Sequence, residues 1–282
     1  MRLFVRHEIA LLLAPPAKSA IGVARLQPRA CDSQQVARWS VDLDHDCALS
    51  ARADAYGNAC QAFHAEGPLE RLTITASGEV STFDTAGLVR GTNEPFPTEL
   101  FLRETALTTA DAALRSFAAR ATASARSLLD KPHMLMRALS ATVAPGPASG
   151  GGAGRAFAAR AGDARDVAHL MIAGARSVGL PARIAAGYLI EAPGRDTHAW
   201  AEIFVEGHGW IGFDATICLY MHEGHVALAR GLDFSDVDPL RTAFHGRGAF
   251  RRVTRLAVSR EEIAAFAPAD AAAAQAAAQS QS

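Results

Sequence analysis

The stretch GDARDVAHLMIAGARSVGLPAR, residues 162–183, constrains the fold more than any other part of the chain. Asp163 is an N-cap residue, Asp166 follows three positions later, Gly179 supplies a C-terminal stop, and Pro181 lies just beyond it. Val167, Leu170, Met171, Ala175 and Val178 recur at a three-to-four spacing, so one face of this helix belongs to a core. The runs that follow, ARIAAGYLI, THAWAEIFV, GWIGFDAT, HVALARG and FRRVTRLAVS, have strand composition. A helix followed by antiparallel strands defines an α+β protein.

The first 90 or so residues read differently. RLFVRHEIALLL, AIGVARL, ARWSVDL, ACQAFHA and ERLTITASGEVSTF are β-type runs broken by turns such as DAYGN. In LERLTITA, Leu72 and Ile74 alternate with Thr73 and Thr75, the pattern of a half-buried antiparallel strand. Pro95 and Pro97 mark a connection, after which residues 108–142 have helical composition, with Asp111 near a helix start. APGPASGGGAG, residues 144–154, offers no core-forming side chain and reads as a flexible loop, either a mobile lid or a segment that has lost its structure. The expected organisation is a β-rich N-terminal region at 1–95, a core at 96–260 and a disordered Ala/Gln-rich tail at 261–282.

Charge narrows the partners. Lys and Arg (28) nearly balance Asp and Glu (29), so the formal net charge of −1 gives no field for nucleic acid or an anionic membrane. A peptide, a protein or a small molecule is the expected partner. The apolar run ALLLA near the N-terminus is short, Arg6, His7 and Glu8 interrupt what would be a signal peptide's apolar core so that the segment reads as a strand, and no run approaches the roughly 20 apolar residues of a membrane span. Four cysteines (Cys31, Cys47, Cys60 and Cys218) show no C-x-x-C pairing, which suits reduced thiols in a cytoplasm and neither a zinc knuckle nor a disulfide framework.

The chemistry concentrates in DTHAWAEIFVEGHGWIGFDAT, residues 196–216. If Glu206, Gly207 and His208 form a three-residue hairpin loop, Trp200 lies opposite Asp214. His198 and Asp214 then share a face, their backbones roughly 7–8 Å apart on a diagonal. A carboxylate that holds an imidazole forms the base half of a nucleophilic triad. A register shifted by one residue would separate the two, leaving a strand histidine and a turn aspartate.

Neighbouring residues have plainer readings. Asp166 reads as a capping carboxylate, and His169 as a packed or capping histidine. His222 and His225 lack the spacing that places two metal-binding imidazoles on one helical face, so no metal or other cofactor is expected. Trp200 and Trp210 fit either a cleft or a core.

Taken together, GDARDVAHLMIA, GLPAR, THAWAE and GWIGFDAT resemble, in the same order, the motifs of bacterial transglutaminase-like proteins, whose core is related to papain-like cysteine peptidases. MRLFVRHE, DAYGN and ERLTITA resemble the β-rich region that precedes that core, and GLDFSDVDPLR a stretch that follows it. The resemblance implies an N-terminal antiparallel β domain followed by a helix packed on an antiparallel sheet, and a chemistry of thiol-dependent amide hydrolysis or acyl transfer. It puts the general base on His198, the orienting carboxylate on Asp214 and the nucleophilic cysteine on Ala164.

A cysteine there would be activated by the helix N-terminus, whereas alanine has no attacking atom, and residues 161–168 contain no Cys, Ser or Thr. Arg165 stands where the family has Gln, and DATIC at 214–218 where it has D-P-T-N-G. Cys218, on the carboxylate side, reads as a small buried hydrophobe. The expectation is a catalytically impaired pseudoenzyme that binds a peptide or protein. Two alternatives are an active hydrolase or acyl transferase that uses His198 and Asp214 with an atypical nucleophile, and a structural subunit. The resemblance also implies ATP-grasp-like and helical proteins, encoded nearby, as partners.

Overall fold

The computed structural model of the chain describes residues 1–190, 196–246 and 248–265. From residue 266 on, the Ala/Gln-rich tail lies outside the described residues. The N-terminal region supplies β1 (Arg2–Ala24), β2 (Gln34–Leu43), β3 (Ser50–Ala53) and β4 (Ala59–Thr82). β1 and β4 run antiparallel, from Leu3 opposite Val80 to Ala24 opposite Gln61, and β2 and β3 pair with β4. Leu72 and Ile74 enter a shared core with Leu3, Ile9 and Leu26, because alternation puts every second side chain on one face.

A connection containing β5 (Leu88–Val89) and a 3-10 turn at Thr98–Leu102 leads to α1 (Ala112–Thr122) and α2 (Asp130–Thr142). Asp111 caps α1, accepting the Leu114 backbone N–H at 2.8 Å. The segment 144–154, expected as a flexible loop, is in regular structure at its two ends. β6 (Ala144–Pro145) pairs in parallel with β7 (Ala161–Gly162), and α3 (Gly152–Ala159) lies between them. Backbone bonds and one carboxylate replace the missing apolar side chains: Ala153 N–H donates to Leu107 O at 2.9 Å, and Ser149 donates from N and Oγ to Asp166 at 2.6 and 2.7 Å.

α4 (Ala164–Ser177) is the helix that the capping signals specify. Asp163 accepts from Asp166 N–H at 3.0 Å, and the Asp166 carboxylate accepts from Asp163 N–H at 3.3 Å. This reciprocal box satisfies two otherwise orphaned donors. At the other end Gly179 has φ +81°, and the bonds Gly179 N–H to Arg176 O and Leu180 N–H to Ala175 O, both 3.0 Å, form a Schellman stop.

The chain then turns back into β8 (Ala182–Leu189), β9 (His198–Val205), β10 (Gly209–Asp214), β11 (Leu219–Tyr220) and β12 (His225–Gly231). The second sheet has the order β11-β10-β9-β8-β12, with β5 added beside β10. Ala199, Ala201 and Ile203 of β9 face α4, while Trp200 belongs to a separate cluster on the opposite face. Every residue of β8 is buried, as expected of a central strand covered on both sides. After α5 (Phe234–Val237), β13 (Leu240–His245) and β14 (Ala249–Ser259) return to the first sheet and pair with β1.

The sheets therefore do not follow the division at residues 95 and 260. β5 joins the second sheet, and β13 and β14 join the first, because pairing across the chain satisfies the long β1 strand on both sides. Apart from that exchange, the molecule is an N-terminal antiparallel β region followed by helices packed on an antiparallel sheet, an α+β fold.

On the face of the second sheet away from α4, Glu202 is fully buried. It accepts from Arg183 Nε at 2.7 Å and from Arg230 Nε at 2.9 Å, which joins β9 to β8 and β12. Arg183 also pairs with Glu94 of the connection and lies 4.1 Å from the Trp210 ring centroid. Burial pushes the Glu202 carboxyl upward, but the two guanidiniums outweigh it and hold the group below its ordinary value. Removing one partner from a buried ion cluster leaves uncompensated charge, so Glu202→Leu should cost about 3–5 kcal/mol of stability. Urea unfolding at neutral pH measures this, and a loss below about 1 kcal/mol would show that the cluster contributes little.

Candidate active site

The topology brings the starts and ends of several elements to one end of the second sheet. α4 and β8 run in opposite directions around the Gly179 turn, so the end of β8 lies beside the start of α4. Gly187 of β8 pairs with His198, the first residue of β9, and Leu189 pairs with His225, the first residue of β12. Val205 pairs with Gly209 around a loop of Glu206, Gly207 and His208, and Ala201 pairs with Phe213. Asp214 accordingly ends β10 at the same end of the sheet. His198, Asp214 and His225 collect there, and α4 starts with Ala164 at the same end.

His198 Nε2 lies 2.6 Å from Asp214 Oδ2, with both side chains almost completely buried. The three-residue loop and the period of two along a strand make the contact, since any odd shift of register would turn Asp214 to the other face. Asp214 Oδ1 accepts Thr216 N–H at 3.0 Å, and Oδ2 also meets His225 Nε2 at 3.1 Å. Desolvation is the largest influence on the Asp214 carboxyl and acts to raise its pKa. The donors on His198 and His225 outweigh it, so the group stays ionised well below the ordinary carboxylate range. Among the described residues nothing bonds His198 Nδ1, which leaves that nitrogen for chemistry or for a ligand.

Two glycines let the segments approach. A Cβ on Gly212 would lie 2.7 Å from Met221 Cβ, and one on Gly187 would lie 1.9 Å from Val226 O. Without side chains there, residues 221–226 cross the sheet closely enough for His225 to reach Asp214. Trp200 packs against both imidazoles, 6.4 Å from His198 and 5.1 Å from His225 by ring centroids, and Trp210 lies in the same buried cluster as Trp200. Both tryptophans are core residues, nearly closed to solvent.

Ala164 opens α4 and is partly exposed. Arg165 turns back onto Asp163, with Nε at 2.8 Å, and its guanidinium lies 5.0 Å from the Phe234 ring centroid. The charge of Asp196, two residues before His198, also acts on Arg165. Cys218 packs against the cluster on the helical side of the sheet with Tyr220, away from the face that carries His198 and Trp200. His225 escaped the sequence reading because its partner lies 11 residues away across a turn, and its only visible signal was the pair in HEGH.

Comparison with known proteins fits this arrangement. Residues 3–81 match the model of the bacterial transglutaminase-like N-terminal region, and residues 115–215 match that of the transglutaminase-like superfamily. The chain belongs to the bacterial transglutaminase-like proteins. It is 27% identical over 279 residues to an uncharacterized protein of Mycobacterium leprae, covering 88% of this chain and 95% of that one. It is also 27% identical over 275 residues to an uncharacterized protein of Mycobacterium tuberculosis, covering 84% and 85%. A crystal structure of a candidate cysteine protease from Cytophaga hutchinsonii has the same fold, with a TM-score of 0.73, 20% identity, and coverage of 95% of this chain and 94% of that one. No helix among the described residues is long and apolar enough to cross a membrane.

His169, on α4, is buried and accepts the Phe234 N–H on Nε2 at 3.1 Å. Burial holds it neutral, with its pKa lowered from 6.5 to about 4. A histidine depressed in this way takes up its proton in the unfolded state first. Its contribution is therefore complete above about pH 6.5 and falls away as the pH drops toward 4. The gap corresponds to about 3 kcal/mol at full extent. His7, buried against Tyr188, acts in the same direction. Stability from urea unfolding should decline between pH 7 and 4, and His169→Gln, which keeps an acceptor for Phe234, should flatten that decline. An unchanged slope would show that His169 does not drive it.

Proposed function

We propose that this chain is a transglutaminase-like pseudoenzyme that binds a peptide or protein through a site whose base and carboxylate remain while its nucleophile is absent. The observation that carries this reading is Ala164 at the first turn of α4. The family resemblance puts the attacking thiol there, and the N–H groups and dipole of the helix would stabilise a thiolate. An alanine methyl cannot attack a carbonyl. Arg165 and the sequence DATIC after β10 are further departures around the same point. The four cysteines form no disulfide, which supports a cytoplasmic setting. Partners encoded near the gene, of ATP-grasp-like and helical type, belong to this proposal, and co-purification from the native host tests them.

The intact contact between His198 and Asp214 favours one second reading, an amide hydrolase or acyl transferase with an atypical nucleophile. A general base acting on water supplies about 10²–10⁴-fold, whereas enzymes reach about 10⁶-fold or more. Cys218 is a poor substitute, since it packs into the core on the helical side.

Purified protein given glutaminyl and peptide amide substrates, with and without a primary amine, should release no ammonia and form no new termini. Turnover abolished by His198→Ala would overturn the pseudoenzyme reading. In Ala164→Cys, the new thiol should titrate about 1–5 units below the ordinary value of about 8.5, as the pH dependence of alkylation would record. A midpoint at the ordinary value would mean that position 164 is not placed to activate a nucleophile.

A further inference from the structure

Asp214 holds one more partner than a base and its carboxylate require. The His225 side chain is fully buried, and its Nε2 meets the same Oδ2 that His198 uses. On the opposite side of the ring, His225 Nδ1 faces the backbone N–H of His222 at 3.2 Å. An N–H donates only to a lone pair, so Nδ1 is unprotonated and the ring proton sits on Nε2. The rings of His222 and Trp200 close on this imidazole edgewise, at 4.7 and 5.1 Å between centroids.

We infer that His225 is a positioning residue: its Nε2–H pins Asp214 and thereby fixes His198 with its own proton on Nε2 and its lone pair on Nδ1. Three donors, from Thr216, His198 and His225, then engage both oxygens of one carboxylate and oppose its rotation. The consequence for a ligand is specific. The site presents an acceptor nitrogen, so what docks against His198 brings a donor, the amide N–H of a peptide or an amine. This rests on the proposed roles of His198 and Asp214, but it does not depend on whether the protein turns anything over.

The same three ligand atoms lie within 4.8 Å of one another, a spacing that could also hold a metal ion. Ligation would need the lone pair of His225 on Nε2 and a proton on Nδ1, where it would meet the His222 N–H head-on. The local bonding opposes that arrangement. The titratable groups facing His225 are Asp214, His198 and His222.

Nitrogen-resolved NMR of the full chain near neutral pH tests the inference. In the wild type, His225 should show an unprotonated Nδ1 and a protonated Nε2, and the His198 Nε2 proton should be protected from exchange. His225→Gln, whose amide can donate to the same oxygen, should preserve that protection. His225→Phe should lose it, with exchange at least tenfold faster. A proton on His225 Nδ1, unchanged exchange in His225→Phe, or stoichiometric loss of both Nε2 protons on adding zinc would each overturn the inference. If His225→Phe fails to fold, the wild-type tautomer still decides the matter. Turnover in the amide assays would sink the pseudoenzyme reading and leave this result standing.

Discussion

The buried Glu202 carboxylate is the point on which the second sheet turns. Strands β8, β9 and β12 each contribute one charged group to a buried face lined by Trp200 and Trp210, and the charges are stable there only in one another's company. An attraction of this kind fixes the lateral order of the strands in a way that apolar packing alone does not, because Arg183 and Arg230 have no other buried acid to reach among the described residues. Glu94 extends the cluster to the connecting segment and holds that segment across the sheet. The cluster thus supports the register, the strand order and the path of the connection together.

The candidate site inherits its geometry from that register. With β9 held between β8 and β10, His198 comes to one end of the sheet, and Asp214 comes to the end of the adjacent strand beside it. The site lies where the covering helices and the crossing segment 221–226 meet, so polar groups are buried there and a charged one must find partners. Asp214 is the clearest case. Its burial would be costly for a lone carboxylate, and three hydrogen bonds convert that burial into rigidity.

What the sequence revealed was local. The box of Asp163 and Asp166, the Gly179 stop and the alternation of LERLTITA each depend on residues within a few positions of one another, and each forms as its pattern implies. The contact between His198 and Asp214 was legible for the same reason, since a short hairpin loop turns a sequence offset into a spatial one. Contacts closed by the tertiary fold were not legible. Nothing in APGPASGGGAG announces that Ser149 will bond Asp166, because glycine-rich composition records only the lack of core side chains. The return of β13 and β14 to β1, more than 200 residues upstream, and the arrival of His225 at Asp214 depend likewise on strand order and not on pattern.

The capping box at the start of α4 has one more consequence. Its hydrogen bonds belong entirely to residues 163 and 166, and the residue between them that opens the helix contributes only its backbone. Alanine is also the most favourable residue for a helix interior. The capping bonds themselves do not depend on whether position 164 carries a sulfur atom. The bonds that set the start of α4 therefore survive a change of side chain at this position.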